Sequence, residues 1–189
     1  MENEIVVLGA GESGMGAAIL AKKKGLKVFV SEKETITKEN KKVLSNNEID
    51  WEEKGHSMQR ILSANEIVKS PGIPDDSTLM QEIIKQSINV ISEVEFASRF
   101  TAAKIVAITG SNGKTTTTLL IGHIFKKAGY DVLVAGNIGV GFAREIAKKD
   151  YDYIVLELSS FQLDGIQKFK PKIAIVLNIT PDHLNRYNN

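Results

Sequence analysis

The sequence predicts an α/β protein in which parallel sheets are covered by helices, arranged as two consecutive units. Three observations predict it. Apolar runs of strand length alternate with longer amphipathic runs along the 189 residues, the pattern of repeated βαβ units. Two of those runs, residues 5–8 and 105–109, lead into glycine-bearing turns that open helices. The composition, 42% hydrophobic and 25% charged, is that of an ordinary globular protein able to bury a core.

In chain order, residues 4–8 read as a strand and 14–24 as a helix. Residues 26–30 form the next strand, followed by a polar helix over 37–45. Residues 66–69 form a short strand that Ser70-Pro71-Gly72-Ile73-Pro74 ends, because proline has no N–H to donate and fixes φ. Residues 77–86 are helical and 89–91 form a short strand. The second series starts with a buried-type strand at 105–109 and a helix at 114–128. A strand at 131–135, a helix at 140–148 and strands at 153–157 and 172–177 complete it. The boundary falls in residues 96–103, giving a first unit of 1–98 and a second of 99–189. Asp182-His183-Leu184-Asn185-Arg186-Tyr187 follows a strand and reads as the beginning of a site. The second unit is therefore expected to be the opening part of a larger domain.

Charge and composition exclude several function classes. Lys plus Arg total 24 and Asp plus Glu 23, so no global field attracts nucleic acid or an anionic membrane. Any anion must be held locally. There is no cysteine, which excludes disulfides and thiolate metal sites. The N-terminus lacks a signal-peptide pattern, and no apolar run approaches the ~20 residues of a membrane span. A cytoplasmic, monomeric protein without nucleic-acid or membrane partners is expected.

Gly9-Ala10-Gly11-Glu12-Ser13-Gly14 fits G-x-G-x-x-G between a strand and a helix. Its glycines permit a tight turn and let a phosphate approach the free N–H groups of the helix. Gly11, Glu12, Ser13 and Gly14 are thus candidate diphosphate contacts, Glu12 through its backbone alone, since its carboxylate would repel a diphosphate. Ser31, Glu32 and Lys33 end the next strand, where a ribose-binding acid is expected. Ser70, Pro71 and Gly72 are placed beside the base. The motif names a phosphate and not a cofactor, so a dinucleotide such as NAD and a UDP-sugar both remain open.

Thr109-Gly110-Ser111-Asn112-Gly113-Lys114-Thr115-Thr116 is the strongest signal. Backbone N–H groups over Gly110, Ser111, Asn112, Gly113, Lys114, Thr115 and Thr116 can wrap phosphate oxygens. Lys114 adds a point charge on the β/γ-phosphates, and the Thr115 hydroxyl can ligate Mg²⁺. The loop is shorter than G-x-x-x-x-G-K-[ST], which disfavours an ordinary P-loop kinase or ATPase. Glu157 ends an apolar strand and so faces the ligand crevice of an open sheet. His56, His123 and Trp51 are assigned no chemical role.

Downstream come Gly136-Asn137-Ile138-Gly139, Glu157-Leu158-Ser159-Ser160-Phe161-Gln162-Leu163 and Asn178-Ile179-Thr180-Pro181-Asp182-His183-Leu184. With the phosphate loop, this order resembles the Mur ligase family over essentially the whole chain. Within it, the loop at Ser70, Asn112 and the stretch from Glu157 resemble the branch that adds D-glutamate to UDP-N-acetylmuramoyl-L-alanine. The resemblance implies a Rossmann-like UDP-sugar domain, then the first part of a P-loop-type ATPase domain whose remainder, with a third domain, lies beyond this chain. It implies ATP-dependent amide-bond formation through an acyl phosphate, in peptidoglycan precursor synthesis. Lys114, Glu157 and His183 would be catalytic, Thr115, Glu157 and His183 would hold Mg²⁺, and Asn137, Ser159 and His183 would touch substrate. A carbamylated lysine that the family uses for a second Mg²⁺ would fall past residue 189, so this chain alone is expected to be inactive. The rival readings are a dinucleotide-binding oxidoreductase or redox sensor, another P-loop ATPase, and a family member of different amino-acid specificity.

Overall fold

The computed structural model describes residues 4–181. They form two sheets, each built solely from parallel pairs. Strand β1 (Glu4–Leu8) is central in the first sheet, with β2 (Lys27–Ser31) and β3 (Asp50–Glu52) on one side and β4 (Glu66–Lys69) and β5 (Val90–Ser92) on the other. The order β3-β2-β1-β4-β5 reverses direction at β1/β4, and that switch opens a crevice at the C-terminal ends of these two strands. Val6, Val7 and Leu8 are fully buried, as both faces of a covered parallel sheet require.

Helix α1 (Glu12–Lys23) is apolar nearly all round, with Gly14, Met15, Gly16, Ala17, Ala18, Leu20 and Ala21 buried. Its small residues let it lie close to the sheet on one side and to the second unit on the other. Helices α2 (Lys38–Asn46), α3 (Met58–Leu62), α4 (Thr78–Lys85) and α5 (Glu93–Ser98) complete this unit. Thr37, Ser77 and Ser92 cap α2, α4 and α5 through their hydroxyls.

The second sheet has the order β7-β8-β6-β9, from β6 (Lys104–Thr109), β7 (Val132–Gly136), β8 (Tyr153–Glu157) and β9 (Ile173–Val176). Helix α6 (Lys114–Lys127) follows β6, α7 (Phe142–Ile146) follows β7, and α8 (Ser160–Leu163) follows β8. Among the described residues no helix is long and apolar enough to cross a membrane.

The expected elements all occur, but several boundaries move. The helix expected at 140–148 is only Phe142–Ile146. Val140 is held by a parallel bridge to Ala135 and accepts from Gly136 N, so the chain turns helical only after Gly141. Residues 93–98 form α5, placed partly in the expected linker, and only residues 99–103 connect the units. Strand β3 and helices α3 and α8 were not anticipated. Each is under two turns or three residues long, too short for a periodicity to register.

One apolar cluster runs through both units, joining Met15, Ala17 and Leu20 to Phe96, Phe142, Ala143 and Ile146. Carboxylates from the first unit bind backbone N–H groups of the second. Glu12 Oε1 accepts from Gly141 N at 3.2 Å and lies 3.0 Å from Arg144 Nε. Glu93 Oε1 accepts from Ala143 N at 2.5 Å. These two acids supply the N-terminal acceptors that α7 lacks among its own side chains. Glu95 Oε2 accepts from Gln167, Lys168 and Phe169 N at 3.0, 2.9 and 2.8 Å.

Candidate functional site

Two crevices lie at C-terminal strand ends. The first is a cleft of about 1010 Å³ between the glycine turn after β1 and the segment after β4. Of the expected substrate contacts, Gly11, Glu12, Ser13, Glu32, Lys33, Ser70, Pro71 and Gly72 line it. The turn is tight: a Cβ on Gly14 would stand 1.9 Å from the Gly9 carbonyl oxygen, a contact only glycine avoids. Helix α1 begins at Gly11 with no side-chain cap, so its first N–H groups remain free for an anion. Ser70 Oγ is buried against this turn without a hydrogen-bond partner, which suits a cradle that takes a polar ligand.

Not every expected contact reaches the cleft. Ser31 is fully buried, and its hydroxyl is engaged by Glu52 Oε1 at 2.6 Å and His56 Nδ1 at 2.7 Å. Glu32 lines the cleft, but its carboxylate accepts from Ala10 N at 2.7 Å and Glu34 N at 2.9 Å. It therefore braces the glycine turn. Glu12 directs its carboxylate to Gly141 and Arg144, away from any diphosphate, which resolves the electrostatic conflict noted for it. His56, given no role from sequence, lines the cleft. Burial lowers its pKa, Lys33 adds to that, and Glu52 and Glu32 offset only part of it.

The second crevice lies above β6, β7 and β8. Gly113 adopts φ +84 and starts α6 without a side-chain cap. The first intrahelical donor is Thr117 N, to Gly113 O, which leaves the amides of residues 113–116 for phosphate oxygens, whereas those of Ser111 and Asn112, also expected to wrap phosphate, are engaged by Asn178. Lys114 Nζ donates to Gly110 O at 2.5 Å and Ser111 O at 3.0 Å, folding over its own loop. Glu157, 2% exposed, is the hub. Its Oε2 accepts from Thr115 Oγ1 at 2.8 Å and its Oε1 from Asn137 Nδ2 at 3.0 Å. Parallel pairing fixes this meeting, since Glu157 is in register with Gly136 on one side and Ile108 on the other.

Residues after β9 support the loop, a role the sequence did not disclose. Asn178 Oδ1 accepts from Asn112 N at 2.8 Å, its Nδ2 donates to Asn112 O at 2.9 Å, and its carbonyl accepts from Ser111 N at 3.0 Å. Ser111 Oγ donates to Thr180 O at 3.0 Å. Ser159 caps α8 in a reciprocal box with Gln162, so its hydroxyl has a structural partner. Thr116 lies in the first turn of α6. His183 lies outside the described residues.

A divalent cation fits this crevice. Thr115 Oγ1 and Glu157 offer hard oxygen donors on adjacent elements, the type Mg²⁺ prefers. Among the described residues no group of three or more His, Asp or Glu side chains could hold a metal. The remaining ligands would be water and phosphate oxygens, the usual Mg²⁺ arrangement.

The family profile of the MurD N-terminal domain matches residues 4–79, and that of the Mur ligase middle domain matches residues 108–189. The UDP-N-acetylmuramoylalanine--D-glutamate ligase of Bacteroides fragilis is 56% identical over 185 residues, covering 98% of this chain and 42% of the relative. That of Christiangramia forsetii is 52% identical over 188 residues, with 100% and 42% covered. The chain thus spans less than half the length of these relatives. Among solved structures, the UDP-N-acetylmuramate:L-alanyl-gamma-D-glutamyl-meso-diaminopimelate ligase from Neisseria meningitides superposes with a TM-score of 0.62 at 19% identity, over 99% of this chain and 64% of that one. A pseudomurein peptide ligase type C from Methanothermus fervidus gives 0.51 at 27% identity, over 97% of this chain and 39% of that one. The strand–glycine turn–helix units, both domain profiles and whole-chain identity above one half agree, and the chain belongs to the Mur ligase family.

Proposed function

We propose that this chain is the nucleotide-handling part of an ATP-dependent ligase that adds D-glutamate to UDP-N-acetylmuramoyl-L-alanine. The observation that carries the reading is the convergence of Thr115 and Asn137 on Glu157 beside the uncapped start of α6. Identity of 56% to a relative of that name supports the specificity. The first domain, residues 1–98, takes the UDP-sugar in its cleft, and residues 99–189 begin the ATP-binding domain.

In this reading the substrate carboxylate attacks the γ-phosphorus of ATP, the bond to ADP breaks, and an acyl phosphate forms. The D-glutamate amine then attacks the acyl carbon, loses a proton and expels phosphate. The first step brings a carboxylate to a triphosphate, and that repulsion must be offset by cations. Lys114 leaves its own loop carbonyls for the β/γ-phosphates, while amides over residues 113–116 hold the phosphate oxygens. Thr115 and Glu157 would hold Mg²⁺, which would supply charge neutralisation on the phosphates. Asn137 keeps Glu157 oriented and is proposed as a substrate contact. His183 is proposed as a further metal and substrate contact.

Calorimetric titration with UDP-N-acetylmuramoyl-L-alanine, with NAD as control, tests the reading. Binding of the UDP-sugar alone supports it. Binding of NAD alone would overturn it in favour of a dinucleotide-dependent enzyme.

A further inference from the structure

The hydrogen-bond network behind the cleft fixes which nitrogen of His56 carries a proton. Ser31 Oγ lies 2.6 Å from Glu52 Oε1 and 2.7 Å from His56 Nδ1, yet a serine hydroxyl has one proton to give. Glu52 also accepts from Ser57 N at 2.8 Å and from the Ser57 hydroxyl. Burial raises the Glu52 pKa, but the bonds from Ser31 and Ser57, with His56 nearby, outweigh it and hold it below the usual carboxylate value. Glu52 is therefore an ionised pure acceptor and takes the Ser31 proton. The short contact from Ser31 to His56 must then be made by a proton on Nδ1. Because burial keeps the imidazole neutral, Nε2 carries none and is a bare acceptor.

That acceptor has no partner among the described residues, and His56 lines the cleft beside Lys33, Glu34, Gly55 and the turn from Ser70 to Pro74. Gly9 N donates to Ser31 O at 2.9 Å, so His56, held on Ser31, stands one strand over from the glycine turn and the open N-terminus of α1. A nucleoside diphosphate anchored by its phosphates on α1 would extend its base toward His56. We propose that His56 Nε2 accepts the imide N3–H of a uracil base and is a specificity-determining residue of the cleft. Cytosine presents a lone pair at N3, so two acceptors would face each other and neither would be satisfied. Ser31 acts as a positioning residue, holding the tautomer without touching the ligand. The inference rests on the UDP-sugar reading of the cleft.

The test is titration calorimetry of the chain with UDP and with CDP, which share the diphosphate and differ at N3. UDP is expected to bind about tenfold or more tightly than CDP, the value of one well-made hydrogen bond against one left unmade. His56→Ala is expected to weaken UDP and leave CDP nearly unchanged, bringing the ratio toward one. Ser31→Ala releases the tautomer and is expected to reduce the ratio in part, so it carries the test if the His56 variant shows no cooperative thermal melt. A UDP/CDP ratio that both variants retain overturns the role of His56 while leaving the cleft as the UDP-sugar site. Failure of the parent chain to bind either UDP or the UDP-sugar overturns the placement of the nucleotide itself, and this inference with it.

Discussion

Glu93 makes stability depend on pH in a direction opposite to most carboxylates. It sits between α5 and α7, 4% exposed, with Ala143 N as its partner. Burial raises its pKa to about 7, the Ala143 hydrogen bond opposes this, and the charge on Glu12 adds to it. The folded protein therefore holds a proton that the unfolded chain releases near 4.5. Below that pH both states are protonated and the group is neutral in effect. Between about 4.5 and 7 the unfolded state binds fewer protons, so stability falls as pH rises. Above about 7 the full cost of an ionised buried carboxyl is present. A displacement from 4.5 to about 7 corresponds to about 3 kcal/mol, at ~1.4 kcal/mol per pH unit. Glu93→Gln removes the titration and keeps a carbonyl acceptor for Ala143. Urea denaturation of parent and variant from pH 4.5 to 8.5 reads the difference. The two should be nearly equal at the acid end, and the variant should be favoured by about 3 kcal/mol at pH 8, or roughly 6–12 °C in Tm. Difference curves that stay flat with pH would refute the argument, since every other carboxylate is common to both proteins.

Three further outcomes follow from the geometry. Gly14→Ala places a Cβ 1.9 Å from the Gly9 carbonyl oxygen, a backbone clash no rotamer relieves. It should cost about 2–3 kcal/mol or more in thermal denaturation and weaken UDP binding with it. Lys114→Ala removes a side chain whose contacts are with its own loop carbonyls. Stability should change by less than about 1 kcal/mol, while ATP affinity by calorimetry should drop at least about tenfold. Glu12→Ala cuts the link to Gly141 and Arg144, but the Glu12 and Arg144 side chains are 54% and 30% exposed. The loss should be under about 1 kcal/mol and should shrink in high salt. A double-mutant cycle with Arg144→Ala measures it.

Much of the fold was legible because parallel strands buried on both faces announce themselves as continuous apolar runs. Residues such as Val6, Val7, Leu8, Ile154, Val155 and Leu156 show that signal directly. The phosphate loop was legible for a related reason: its chemistry is confined to consecutive residues, from Gly110 to Thr116. What escaped is carried by long-range pairings. Asn178 supports Asn112 across 66 positions, and Glu95 reaches Gln167 across 72. Neither spacing leaves a local trace. Ser31 and His56 exchange places with respect to expectation for the same reason. Strand parity and the neighbouring residues 50–57, not the local sequence at Ser31, decide which one faces the cleft.

The two crevices differ in charge in a way that matches what each would hold. The first offers backbone amides and an unpartnered serine but no lysine in its glycine turn, enough to position a diphosphate that does not react. The second adds Lys114 and the oxygen donors Thr115 and Glu157, groups that matter when charge moves during phosphoryl transfer. Contacts link the two in sequence. The cleft turn carries Glu12, which holds Gly141; residues 137–141 join Gly141 to Asn137; and Asn137 holds Glu157, which holds Thr115. Reaction between a carboxylate borne by one ligand and a phosphate borne by the other requires the two sites to keep a fixed separation, because effective molarity falls steeply with misplacement. On the proposed reading, the buried Glu93 and Glu95 and the more exposed Glu12 would fix it, a catalytic reason for placing acids at a junction that apolar packing alone could close.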